Sequence, residues 1–200
     1  MTSRTRGDKA EAILEGARQQ FMANGYAATS MDQVAVAAGV SKATVYSHFQ
    51  DKASLFASLI QKMAATKLGV FFDLTQLHRQ TQNPTDSLTQ VACSMLDTAC
   101  TDEQSSAFMR LIVAESQRFP ELATTYVENV AKPVISQLTQ FLDSHPQLHL
   151  SDPEATARIL IGSLVYYIIL EEILGGKQTL HMERDRLVAT LVNGIVQSAS

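Results

Sequence analysis

Apolar side chains return every three or four positions along most of the chain, the period of helices with one buried face, and no stretch alternates as a half-buried strand would. Ile13, Leu14, Ala17 and Phe21 form the stripe of a first helix over Arg6–Asn24, ended by Gly25. Ser30 opens a short second helix. Gln33 stands three residues on to complete a capping box, and Val34, Ala35 and Ala38 are its apolar side. Gly39 supplies a tight turn, Val40 plugs it into the core, and Ser41 caps a third helix from Lys42 to about Phe49. Val45 and Phe49, four apart, point inward. Leu55, Phe56, Leu59, Ile60 and Met63 then line a fourth helix that starts near Lys52 and continues toward Leu77, with Gly69 as a weak point.

Prolines and glycines punctuate the remainder. Asn83-Pro84-Thr85-Asp86 begins a fifth helix that runs to Cys100, and the polar stretch Thr101–Ser105 separates it from a sixth, Ser106–Phe119. Pro120 suits the first turn of a seventh helix reaching Ser144, and Pro133 inside it predicts a kink or a division. Ser151-Asp152-Pro153-Glu154 opens an eighth helix that Gly175-Gly176 stops after Leu174, and a ninth spans Met182–Ser198. The expected fold class is therefore all-α, with about nine helices.

The second and third helices, joined by a glycine turn, read as a helix-turn-helix. The side chains that face outward from the third are Lys42, Ala43, Thr44, Ser47 and His48, with Tyr46 on the flank. They are short, polar and not acidic, as a helix laid against bases and phosphates requires.

With Thr29-Ser30, Val34-Ala35, Ala38-Gly39-Val40-Ser41, Thr44-Val45-Tyr46-Ser47-His48-Phe49, Lys52 and Leu55, residues 7–67 resemble the DNA-binding domain of the TetR family of bacterial regulators, the motif itself covering 30–49. Val34 departs from the isoleucine frequent there, an exchange within the core. Met109-Arg110-Leu111-Ile112-Val113-Ala114-Glu115 and Arg118-Phe119-Pro120-Glu121-Leu122 resemble the C-terminal region of the AefR-like branch. The resemblance implies a DNA-binding head over 1–52 and a ligand-binding and dimerisation body over 53–200. It also implies roles. Thr29, Ser41 and Lys42 would lie near phosphate, Tyr46, His48 and Lys52 would be further phosphate contacts, Ala43 and Thr44 would face base edges, and Ser47 belongs to the same DNA-binding set. Arg4, Arg6 and Lys9 form an arm that either enters the minor groove or stays disordered.

Charge adds a modest asymmetry. The net charge is −4, divided as +1 over residues 1–52 and −5 over the rest, a mildly basic head before an acidic body. No leader precedes the first helix and no apolar run reaches the ~18 residues of a membrane span, so a soluble, cytoplasmic protein is expected, with no membrane partner. Cys93 and Cys100 share a helix face at a spacing of about 10.5 Å from helical rise, too far apart for a mutual disulfide. They read as buried thiols, with redox sensing through another chain as the alternative. No Cys/His cluster has zinc spacing, and the body has no phosphate loop or nucleophile motif, so neither metal, cofactor nor enzymatic activity is expected. His78, His145, His149 and His181 read as surface or capping residues.

The eighth and ninth helices carry more apolar surface than one core face uses. Ile159, Ser163, Tyr167, Leu170, Val188, Leu191 and Ile195 are the candidate dimer interface, Gly162 and Gly194 permitting close approach of a second copy. Candidate ligand-pocket residues are Met95, Phe108, Ile112, Glu115, Phe119, Tyr126, Phe141 and Tyr166, an apolar set with a polar group suited to a lipophilic small molecule, though each equally suits plain core. The function expected is a homodimeric repressor released from a palindromic operator by such a ligand. The alternatives are a same-fold activator, a regulator answering to a protein partner or to cysteine redox, and, from another class, an enzyme with a DNA-positioning head.

Overall fold

Capping side chains set the boundaries of the N-terminal helices. In the computed structural model, which describes residues 5–71, 83–101 and 103–197, Thr5 and Asp8 form a reciprocal capping box at the start of α1, Arg6–Ala28. Arg6 and Lys9 therefore belong to the first turns of a helix and not to an arm. Gly25 interrupts α1 with φ 79° and ψ 167°, and one further turn follows it before Thr29. Ser30 and Gln33 complete the predicted box at α2, Met31–Ala38, and Gly39 takes the left-handed conformation at φ 65°. The Ser41 hydroxyl accepts from Thr44 N–H to cap α3, Lys42–His48. Asp51 and Ser54 exchange backbone and side-chain bonds of 2.7 and 3.1 Å at the start of α4, Lys52–Phe71. Each such cap stabilises its helix by about 1 kcal/mol.

The later elements are α5, Pro84–Thr101, and α6, Glu103–Glu115. Next comes α7, 120–143, made of Pro120–Tyr126, a π-helical turn Val127–Ala131 and Lys132–Asp143. The chain then forms α8, 153–173, which ends in a second π-helical turn, Ile169–Ile173, and α9, Arg184–Gln197. All nine helices of the described residues were anticipated, and no strand occurs among those residues. Two boundaries moved. The polar spacer expected at 101–105 is helical at 101 and from 103 on, and the sixth helix ends at Glu115. Pro133 divides nothing: it offers no N–H to the carbonyl one turn back, and the widened π turn before it absorbs the mismatch. Arg4, the extension to Leu77, His78 and the Cys100 side chain lie outside the described residues.

The helices pack as two units. The first comprises the residues up to Ala64 together with Ala107–Val130. Its core joins Ile13, Phe21, Val34, Val45, Leu55 and Phe56 to Phe108, Ile112 and Leu122. The second comprises Ala65–Ser106 and Ala131–Ser200, with Leu88, Leu96, Leu138, Leu142, Leu160, Leu164 and Val192 at its centre. The division between the units falls within the residue ranges of α4, α6 and α7. Among the described residues no helix is long and apolar enough to cross a membrane.

Candidate nucleic-acid interface

Packing decides which face of α3 meets solvent. Val45 is fully buried and Phe49 nearly so, leaving Lys42, Ala43, Tyr46 and Ser47 exposed and Thr44 and His48 half-buried. The caps hold this short helix rigid at its start. Thr44 Oγ1 lies 2.8 Å from Ser41 Oγ, and Ser47 donates its hydroxyl back to the Thr44 carbonyl at 2.8 Å. Tyr46 is 47 % exposed, with Lys42 Nζ 5.9 Å from its ring centroid.

The surroundings of Lys42 are less free of acid than the outward face of α3 alone suggests. Its ammonium pairs with Asp32 of α2 at 2.8 Å, and that hydrogen bond and the carboxylate's charge raise its pKa. Both side chains are exposed and screened by solvent, so the pair is weak and can be exchanged for a phosphate.

Two residues expected at phosphate bond backbone carbonyls of the protein itself. Thr29 is 2 % exposed, and its hydroxyl donates to the carbonyls of Gln20 and Gly25 at 3.0 and 2.8 Å. Lys52 turns its ammonium into the protein. It donates to the carbonyls of Tyr26, Ala27 and Thr29 at 2.8, 3.3 and 2.9 Å and lies 4.5 Å from the Tyr26 ring centroid. Burial lowers its pKa, opposed by the nearby Glu115 carboxylate.

Both residues secure the turn from Gly25 to Thr29 that joins α1 to α2. Sequence reasoning missed the third side chain there. Glu115, at the end of α6, accepts from Ala27 N–H at 3.3 Å across 88 residues. Aromatic packing fastens the same turn. Tyr26 stacks on Phe21 at 5.5 Å and meets Phe56 and Phe119 edge-on at 5.3 and 4.9 Å, while Phe108 stacks on Phe56 at 5.4 Å. Burial pushes the Tyr26 phenol up to about 12. No local pattern signals these contacts, because each side chain also reads as ordinary amphipathic helix.

Residues 13–59 match the family model "Bacterial regulatory proteins, tetR family", and residues 86–196 match "AefR-like transcriptional repressor, C-terminal domain". The chain belongs to the TetR family. That is a family of transcriptional regulators and not of enzymes. Curated TetR-family relatives include the regulator AcrR of Shigella flexneri, 29% identical over 114 residues, 56% of this chain and 51% of that one. The repressor BepR of Brucella suis is 28% identical over 123 residues, 60% of this chain and 58% of that one. The matched stretches thus span little more than half the length of these relatives. Among solved structures, the flavonoid-responsive regulator FrrA superposes with a TM-score of 0.79 at 29% identity, over 96% of this chain and 97% of that one.

The ligand-pocket candidates of this TetR-family chain are distributed over both units. Phe108, Ile112, Phe119 and Tyr126 pack against the core of the first unit and Glu115 is spent on Ala27, whereas Met95 and Phe141 belong to the core of the second. Tyr166 is 62 % exposed. Helical spacing identified apolar positions, but not the core each would join.

The dimer candidates also divide. Tyr167, Val188 and Ile195 are buried in the core of their own unit, with Leu191 packed against it. Leu170 and Ser163 are half-buried, and Ile159 stays 63 % exposed. Tyr167 turns inward and Tyr166 outward, neighbours on a helix standing about 100° apart. A Cβ at Gly162 or Gly194 would meet nothing within 4 Å, so neither glycine serves close packing inside the chain. Of the two cysteines, Cys93 is a free, half-buried thiol whose pKa is raised by burial. Among the described residues no group of side chains could hold a metal ion.

Proposed function

We propose that the protein is a homodimeric transcriptional repressor that reads a palindromic operator through α3 and leaves it when a small lipophilic ligand binds. The observation that carries the DNA reading is the capped, outward face of α3, where Lys42, Ala43, Tyr46 and Ser47 stand exposed over a helix seated by Val45. Lys42, Tyr46 and His48 serve the phosphates, and Ala43, Thr44 and Ser47 serve the base edges. Thr29 and Lys52 act from behind, by shaping the turn that presents the helix. A palindrome requires two such helices about 34–36 Å apart, one per half-site, hence a dimer. The exposed strip Ile159, Gly162 and Tyr166 on α8 supports one. Control by a ligand is supported by the likeness to FrrA, a flavonoid-responsive regulator. Such a ligand acts only by binding one separation of the two heads better than the other.

The test is selection of binding sites from random duplex DNA with the wild type and Tyr46→Ala. A salt-sensitive palindrome recovered by the wild type and lost or strongly weakened in the variant is the expected result. No enrichment at low salt would refute sequence reading by this head.

A further inference from the structure

Three side chains from three separate places in the chain bond the backbone of the turn Gly25–Thr29. Thr29 closes the turn on itself through the carbonyls of Gln20 and Gly25. Lys52, in the first turn of α4, gathers the carbonyls of Tyr26, Ala27 and Thr29. Glu115, the last residue of α6, takes the N–H of Ala27. The ammonium and the carboxylate thus hold one peptide segment by its acceptors and by its donor. The approach of Glu115 is close enough to constrain the sequence, because a Cβ on Gly25 would stand 3.1 Å from its Oε1. Phe119, four residues further on, meets the ring of Tyr26 in the same turn.

We propose that Glu115 is a positioning residue for base recognition, fixing the angle at which α2 leaves α1 and so the seat of α3 in the groove. This rests on the DNA-reading function above and adds to it a determinant that touches no DNA. The turn is the connection from α1 to α2, and α2 carries α3 through the Gly39 turn. A small rotation at Ala27 therefore moves Ala43 and Thr44 relative to base edges. Base contacts tolerate displacements of only about 0.5 Å, whereas phosphate contacts carry no sequence information. Loss of the Glu115 bond consequently lowers discrimination between operator and random DNA before it lowers affinity for DNA in general.

The experiment uses the full chain and the operator recovered by selection with the wild type. Fluorescence anisotropy gives Kd on that operator and on a shuffled duplex of equal length, across a salt series, for wild type, Glu115→Ala, Glu115→Gln and Glu115→Asp. Alanine removes the acceptor, glutamine keeps one of the same reach, and aspartate keeps the charge one methylene short. The expected result is a fall of about tenfold in the operator-to-shuffled ratio for alanine and aspartate, the loss of one partly buried hydrogen bond. Affinity for the shuffled duplex and the salt slope stay near wild type, and glutamine restores most of the ratio. A merely structural role would lower both affinities together, in step with the folded fraction read by circular dichroism, and would overturn the proposal. An unchanged ratio in Glu115→Asp would overturn it even if the alanine variant did not fold. A wild type that enriches no sequence defeats the DNA-reading function itself, and is recognised before any variant is made.

Discussion

Gly25 is where local conformation and long-range contact meet in one residue. Its φ of 79° with ψ of 167° lies in a region open to glycine alone, and Glu115 Oε1 occupies the space beside it. Gly25→Ala should therefore destabilise the protein by about 1–3 kcal/mol, the usual strain of such a backbone. Urea denaturation followed by circular dichroism checks this, and a variant as stable as wild type would mean that the turn relaxes freely. The sequence marked Gly25 correctly as the end of the regular part of the first helix. It did not mark Glu115, which read as the polar group of a pocket, because nothing in the neighbourhood of residue 115 refers to residue 27. Lys52 shows the same limit from the other side. Its position in a known motif suggested phosphate, and its stem, long enough to reach three carbonyls of the head, took it inward.

Among elements, the segment after α8 holds a charged clamp that the pattern of apolar residues left out of view. The π turn places Glu171 inside the protein, 3 % exposed, where its carboxylate accepts from Met182 N–H at 3.0 Å and pairs with His181 Nδ1 at 3.2 Å. Glu183 stands 3.4 Å from the other ring nitrogen, and Lys177 pairs with Glu172 beside them. Burial pushes the Glu171 pKa up, but the Met182 N–H and His181 outweigh it and hold the carboxyl below its ordinary 4.5. The Glu171 hydrogen bond raises His181 above its ordinary 6.5. The stability from Glu171 is present in full above pH 4.5 and fades as pH falls through its lowered value. The stability from His181 is present in full below pH 6.5 and fades as pH rises through its raised value. The clamp is thus strongest between those limits. Melting temperatures of wild type and His181→Gln should differ most between pH 4.5 and 6.5 and converge as pH rises through the raised His181 value. A difference that does not vary with pH would show that His181 contributes no charge. The sequence had assigned His181 to the surface, correctly for its exposure and without its partner.

At the scale of the whole molecule, residues 107–130 complete the core around the helix-turn-helix. Phe108 stacks on Phe56, and Ile112 and Leu122 are buried in the same cluster. Phe108→Ala should cost about 3–5 kcal/mol and should accelerate amide exchange in α1 and α4. Unchanged exchange there would mean that the head folds without this segment. On the second unit, Ile159 and Tyr166 at 63 % and 62 % exposure lie one face of α8 apart from the buried Leu160 and Leu164. Ile159→Lys should leave the chain folded and move its mass by light scattering to the 21.9 kDa of a single copy. A variant that remains dimeric would place the interface on another surface.

The sequence by itself determined what is local. Helix count, the caps at Ser30 and Ser41, the turns at Gly25 and Gly39 and the inward pair Val45 and Phe49 all depend on residues within one or two turns of each other, where spacing and φ preference act directly. Tertiary structure alone decided the rest. Which core receives Phe108 or Phe141, which of Tyr166 and Tyr167 turns inward, and where Lys52 and Glu115 find their partners are settled by chain segments tens of residues away. An apolar stripe records that a helix buries one face. It does not record against what, and the free energy of burial is nearly the same for any close-packed apolar partner.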